Sequence, residues 1–393
     1  MAMARSLPCN EHYRPQPRSV KKSRFRIEGN WKMKLIRNLL LLVAGLVGVV
    51  FAGGFFLLPN EAKVEKAFTI DRPASSVYAL LASAPGAYAL ADGVTQTVTG
   101  SQAPGTVEAE VLFGGKKGTV KYEVTGTGAS SSVTARFTQT LGPNPLARFQ
   151  GMSGAQLEPV IAAIEAKAKA DANAVPTTDF TGLAYEVVAN LAPRDFLYIE
   201  ATTPTQAEGI KEGIRQAMRI VRQSLTSNNL TQAGPPIAVE TGWQEGQAYG
   251  FQAGLPYSGP TPSLLIAVKN GKTPAGTAIK VVYSGKEEEI IPTYDRIEAL
   301  IAAARLKRSG PSFEIFLDDP DSATGSQVRE IYHIVEGDTA ALARIAPSAA
   351  AQPVTLPPAA PPAAPVDPAA AAPVATDPAA APAATPAPAD AKK

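Results

Sequence analysis

Cysteine and histidine are almost missing from this 393-residue chain. The one cysteine, Cys9, lies close to the N-terminus, so neither a disulfide framework nor a thiolate metal site can be assembled. The only histidines are His12 and His333, which removes paired-histidine zinc sites and argues against a hydroxyl–histidine relay. Any catalysis would have to run on carboxylates, tyrosines or lysines, and no metal or organic cofactor is expected. Net charge is scarce as well: +2, with a pI near 8.4, gives no broad basic surface for nucleic acid.

What charge there is sits unevenly. Segment 1–38 carries Arg5, Arg14, Arg18, Lys21, Lys22, Arg24, Arg26, Lys32, Lys34 and Arg37 against Glu11 and Glu28, which leaves the remainder net acidic. Immediately after it, 39–58 reads LLLLVAGLVGVVFAGGFFLL, an uncharged run able to span roughly 30 Å of hydrocarbon as a helix. The positive-inside rule then keeps the basic leader cytoplasmic and sends everything after Pro59 outward. In a bacterium that means one inner-membrane anchor and periplasmic domains. A cleaved signal peptide is the competing reading, with Val50-Phe51-Ala52 as the cleavage-like site, and Met33 is as good a start as Met1. At the other end, 346–393 is almost purely Ala and Pro, too poor in large apolar groups to repay the entropy of folding, and is expected to be disordered.

The expected fold class is α+β, in two soluble domains. In 61–172, apolar residues alternate through Val64, Phe68 and Ile70, and Asp71-Arg72-Pro73 opens a helix with Val77, Leu80 and Leu81 on one face. Turn-punctuated strands follow from Thr95 to Thr140, and Leu157, Val160, Ile161, Ile164 and Ala168 recur at helical spacing. The stretches LLPNEAKVEKAFTIDRPASSVYALLAS and LGPNPLARFQGM resemble the START-like (SRPBCC) superfamily, which includes polyketide cyclases and coenzyme Q binding proteins. That resemblance implies a helix-grip fold and a cavity for a hydrophobic ligand, for which Phe113, Tyr122 and Phe137 are lining candidates. The Trp-rich loop usual after the first helix of that family is replaced here by Pro85-Gly86-Ala87-Tyr88-Ala89-Leu90.

A break at Asp171–Thr181, punctuated by Pro176, separates the second domain, 180–337. Here the chain repeats itself: Leu230-Thr-Gln-Ala-Gly234-Pro235-Pro236-Ile237 returns as Leu306-Lys-Arg-Ser-Gly310-Pro311-Ser312-Phe313. Each copy follows an amphipathic helix, Ile210 to Leu225 in the first and Tyr294 to Ala304 in the second. The expected unit is strand, strand, helix, strand, with strands at Tyr185–Asn190, Phe196–Ala201, Leu264–Lys269 and Ala278–Tyr283. Alternation in the strand after the second copy puts Phe313, Ile315 and Leu317 on one face and Ser312, Glu314 and Phe316 on the other. A carboxylate beside an aromatic ring suits a delocalised cation. The first copy carries Ala238 where the second carries Glu314, so the acid is supplied asymmetrically.

PAGTAIKVVYSGKEEEIIPTYDRIEALIAAARLKRSGPSFEIFLDDP and VREIYHIV resemble the GyrI-like effector-binding family. The resemblance implies a cleft between the two copies in which Glu314 helps recognise a hydrophobic or aromatic, often cationic, small molecule; Phe316 stands where the family usually has Tyr. Tyr283, Tyr332 and Trp243 complete the candidate ligand-binding set. The expected function is membrane-anchored small-molecule binding. The alternatives are a hydrolase of a reactive small molecule with Glu314 as general base, and a polyketide cyclase-like enzyme.

Overall fold

The computed structural model describes residues 29–244, 248–260, 262, 267–320 and 327–345. The expectations for most of the basic leader and for the Ala/Pro-rich segment 346–393 lie outside the described residues.

Helix α1 (Gly29–Leu57) starts before the apolar run, because Lys32, Met33, Lys34, Leu35 and Arg37 are all good helix formers. Its Met33–Val50 stretch is unburied and is long and apolar enough to cross a membrane.

After it come β1 (Glu61–Ile70), α2 (Ala74–Ala82), β2 (Tyr88–Ala91), β3 (Val94–Gln102), β4 (Thr106–Phe113), β5 (Lys116–Thr125), β6 (Ser131–Thr140), α3 (Pro145–Gly151) and α4 (Glu158–Ala172). The six strands form one antiparallel sheet in the order β1-β6-β5-β4-β3-β2. Alternate residues point inward from three successive strands: Val107, Ala109 and Val111; Val120, Tyr122 and Val124; Val133, Ala135 and Phe137. They bury against α2 and the Leu157, Val160, Ile161 and Ile164 face that leads into and along α4. The LGPNPLARFQGM stretch is a helix start: Asn144 caps α3 by accepting from the Leu146 amide at 2.9 Å, and Pro145 fills the first turn. Arg148 is buried and donates to the Gly142 carbonyl at 2.8 Å and to the Leu58 carbonyl at 3.5 Å, which ties α3 to the end of α1.

The segment after α4 is pinned down. Val175, Phe180 and Leu183 are buried, Arg72 Nε donates to the Val175 carbonyl at 2.7 Å, and Ser75 donates to Asp179 at 2.7 Å.

The second half runs β7 (Glu186–Leu191), β8 (Asp195–Thr203), α5 (Ala207–Ser227), β9 (Thr231–Gln232), β10 (Ile237–Gln244), β11 (Ala248–Ser258), β12 (Lys269–Lys272), β13 (Gly276–Gly285), α6 (Ile291–Ala303), β14 (Lys307–Arg308), β15 (Phe313–Phe316), β16 (Gln327–Glu336) and α7 (Ala340–Ile345). The repeat is physical. Asn229 and Arg305 both take left-handed backbone (φ 54° and 59°) after their helices, and the following Leu230 and Leu306 amides each close back on the helix at 3.0 Å. Each helix is followed by a two-residue strand (β9, β14) and then two longer strands (β10 and β11, β15 and β16), not by one strand, so the unit is longer than the sequence pattern suggests. The sheet order β12-β8-β11-β10-β15-β16-β13-β7 joins the copies through β10 and β15 at its centre. Each copy also lends its first strand to the other's edge, β7 to β13 and β12 to β8. The expected strand Leu264–Lys269 falls largely outside the described residues; the described strand there is β12.

The halves share one continuous core, in which Val77, Leu80 and Tyr78 of α2 belong to the same cluster as Ile297, Leu300 and Ile301 of α6 and Leu342 of α7. Across that junction the Tyr78 hydroxyl donates to the Arg344 carbonyl, Ser83 Oγ to the Ala303 carbonyl and Arg344 Nε to the Ala82 carbonyl, each at 2.9 Å.

Candidate ligand-binding site

Strand β15 lies at the middle of the large sheet and is buried on both faces. Phe313 and Ile315 join Phe196, Ile237, Val239 and Ile334 on the face that bears neither α5 nor α6. Phe316 joins the α5 side, with Met218, Ala238 and Phe251. Glu314 shares the Phe316 face and is only 7% exposed. A carboxylate at such depth must be paired or protonated. Tyr294, from the first turns of α6, donates its hydroxyl to Oε1, and Arg329 Nη1 of β16 donates to Oε2 at 2.5 Å. A buried, hydrogen-bonded acid thus stands at the boundary between the two copies, opposite its small counterpart Ala238 in the strand register.

Residues 187–335 match the family model described as a GyrI-like small molecule binding domain. The second half of this chain carries a GyrI-like domain. No curated protein matches the chain. Among solved structures, it is similar to an EcmrR–DNA complex at 12% identity (46% of this chain, 65% of that one, TM-score 0.34). The chain therefore spans under two thirds of that protein. It is also similar to a hydrolase from Listeria innocua at 12% identity (39% and 91%, TM-score 0.28) and to SAV2435 bound to tetraphenylphosphonium at 13% identity (39% and 95%, TM-score 0.28).

Within the GyrI-like domain, Arg329 is 1% exposed and is the best-connected side chain of the site. Besides Glu314 it pairs with Glu287, from the turn that precedes α6, and with Gln327. Its guanidinium carbon lies 4.8 Å from the Phe316 ring centroid, and the strand register sets Phe316 directly opposite Arg329. Burial alone would lower the guanidinium pKa, but Glu314 and Glu287 outweigh it and hold Arg329 charged. Burial raises the Glu287 carboxyl above its ordinary value, with Arg329 pulling the other way. Burial, and secondarily the Glu314 charge, push Tyr294 and Tyr249 well above the ordinary tyrosine range, so both hydroxyls remain protonated donors.

The sequence candidates divide. Glu314 and Phe316 are together on the helix-bearing face. Trp243, 45% exposed, meets Tyr249 edge-on at 5.8 Å, and Tyr249 stacks on Phe251 at 5.7 Å, so Trp243 stands at the exposed end of an aromatic row. Tyr283 sits opposite Arg329 in the register, but its hydroxyl is committed to the Lys286 carbonyl at 2.5 Å and its ring to the α6 core. Tyr332 is on the wrong face: it pairs with Phe313, stacks on it at 4.7 Å, and donates to Glu330 at 2.7 Å. It is removed from the site because it neighbours the core-facing residue of β15. Arg329, Glu287, Tyr249 and Gln327 were not among the sequence candidates, and Tyr294 was read only as part of a helix face.

His333 is also buried on β16, 5.6 Å ring to ring from Tyr294, with Nδ1 3.3 Å from Glu298 Oε1 in a geometry that makes no hydrogen bond.

In the first half, Tyr122 and Phe137 are fully buried and Phe113 packs edge-on against Phe137 at 5.6 Å. A cavity of about 20 Å³ remains beside Leu80, Leu81, Tyr122 and Ile164, enough for a water-sized group. Its rim is polar: Asp171 takes hydrogen bonds from Tyr88 (2.6 Å), Lys167 (2.9 Å) and, from the GyrI-like domain, Arg305 (2.8 Å), whose guanidinium lies 4.6 Å from the Tyr88 ring centroid.

Proposed function

We propose that this chain is a membrane-anchored small-molecule-binding protein in which the GyrI-like domain takes a small aromatic guest on the face of Glu314, against Tyr249 and Trp243. The observation that carries this reading is the buried Glu314, held by Tyr294 and Arg329 at the junction of the two copies, where the fold alone asks only for an alanine. A buried charged network that the repeat does not need is costly to retain, which favours a ligand-related role.

The general-base alternative is less well served. Both oxygens of Glu314 already accept a hydrogen bond, one from Tyr294 and one from Arg329, which commits the carboxylate to the buried network. The membrane placement is supported by the apolar, unburied α1 and by an exposed apolar patch, Leu146, Phe149 and Met152, on and just after the short helix tied to the end of α1. Reading the first half as a START-like module is supported by its strand, helix, meander, helix order. The small cavity there favours a packed structural role over a second ligand site.

The test is calorimetric titration of the detergent-solubilised chain with methylnaphthalene, against micelles alone. Saturable binding that weakens several-fold in Glu314→Gln is expected. Equal binding by both proteins would remove the site.

A further inference from the structure

The GyrI-like carboxylate is not waiting for a cation. The positions that a delocalised cation would take, over the Phe316 ring and between two carboxylates, are filled by the guanidinium of Arg329. Glu314 has no oxygen left over, since Tyr294 holds the other one. We infer that Arg329 is a tethered stand-in for a ligand cation, and that this site consequently selects uncharged aromatic guests and rejects cationic ones. This rests on the Glu314 face being the ligand site, as proposed above.

Two further observations favour a selective role over a folding role. In the register, Phe316 opposes Arg329 in the second copy, while Glu240 opposes Phe251 in the first. The repeat thus builds the same strand pair with a phenylalanine in place of the arginine, and the sheet does not require a guanidinium there. Arg329 also stays charged at any pH at which the protein is folded, so the stand-in cannot be titrated away. A free cation entering beside it meets a like charge in a poorly screened interior, and displacing it would break a buried ion pair. An uncharged ring meets neither obstacle, and Tyr249 and Trp243 remain as its stacking surface.

The probes are a matched pair, N-methylquinolinium and methylnaphthalene, alike in shape and different in charge, titrated into the detergent-solubilised full chain. The native protein is expected to bind methylnaphthalene roughly tenfold or more tighter than N-methylquinolinium, and Arg329→Met to reverse that order. Because Arg329→Met leaves two buried carboxyl groups facing each other without a cation, the Arg329→Met/Glu287→Gln variant repeats the test with Glu314 as the one carboxyl group of the pair. Native protein that binds both probes equally, or variants that fold and still reject the cation, would overturn the inference while leaving the binding site in place. If neither probe binds native protein or variant, the binding reading itself falls and the inference falls with it.

Discussion

Domains joined in one chain ordinarily move relative to each other unless their interface is large and apolar. Here the two halves share a single buried cluster, and Tyr78 is a direct bridge: 2% exposed, with its ring among the α2 residues and its hydroxyl on the Arg344 carbonyl of α7. Tyr78→Ala removes a full aromatic side chain from that junction, which by comparison with other buried aromatic truncations costs about 3–5 kcal/mol. At this size each kcal/mol moves the midpoint by about 2–4 °C, so the melting temperature is expected to fall by roughly 6–20 °C. Differential scanning calorimetry of the solubilised protein should show one endotherm in the native chain, and the whole of it should shift in the variant. Two resolved endotherms, of which only the one for 61–172 moves, would refute the shared-core argument.

Further outcomes follow from individual contacts. Asp171 has its carboxyl lowered below 3.8 because Tyr88, Lys167 and Arg305 together overcome the raising effect of burial. A lowered acid stabilises the fold above its unfolded pKa and loses that contribution as pH falls through the folded value. Asp171→Asn should therefore be less stable than the native chain at pH 7, with the gap closing once the pH drops below 3.8, as followed by thermal melts across pH. Arg305→Ala, which removes a partly buried ion pair across the two halves, should cost about 1–3 kcal/mol in chemical denaturation. Gly254→Ala would place a Cβ 1.8 Å from the Leu197 carbonyl oxygen, in the register of β8 and β11, and should abolish soluble expression of the folded chain. A phosphatase fused after residue 345 should be active only outside the cytoplasm if α1 spans the membrane with its basic flank inside.

The strand parity of β15 was readable because its two faces differ in chemistry: Glu314 and Phe316 against Phe313 and Ile315. On β16 the same logic gives nothing, since nearly every residue from Gln327 to Val335 is buried or half-buried and the alternation that marks a face disappears. Arg329 could be placed only through pairing register, which a single sequence does not contain, and the same gap put Tyr332 in the site. Glu287 hid in a Glu-Glu-Glu run that resembles a solvated turn. Trp243 is turned toward Tyr249 by a bulge between Glu240 and Gly242, which reverses the parity expected from Val239. Repeat detection fared better, because a leucine followed four residues later by Gly-Pro closes each helix, and the residue before it, Asn229 or Arg305, takes the same left-handed backbone.

The central claim is that a small aromatic guest lies on the Glu314 face of the GyrI-like domain. The chain has two tryptophans, Trp31 in α1 and Trp243 beside Tyr249, so a Trp31→Phe protein has one emitter, at the rim of the proposed site. Titrating it with methylnaphthalene should change Trp243 emission saturably, with a midpoint matching the calorimetric one. Calorimetric binding with Trp243 emission unmoved would place the guest elsewhere and contradict the account.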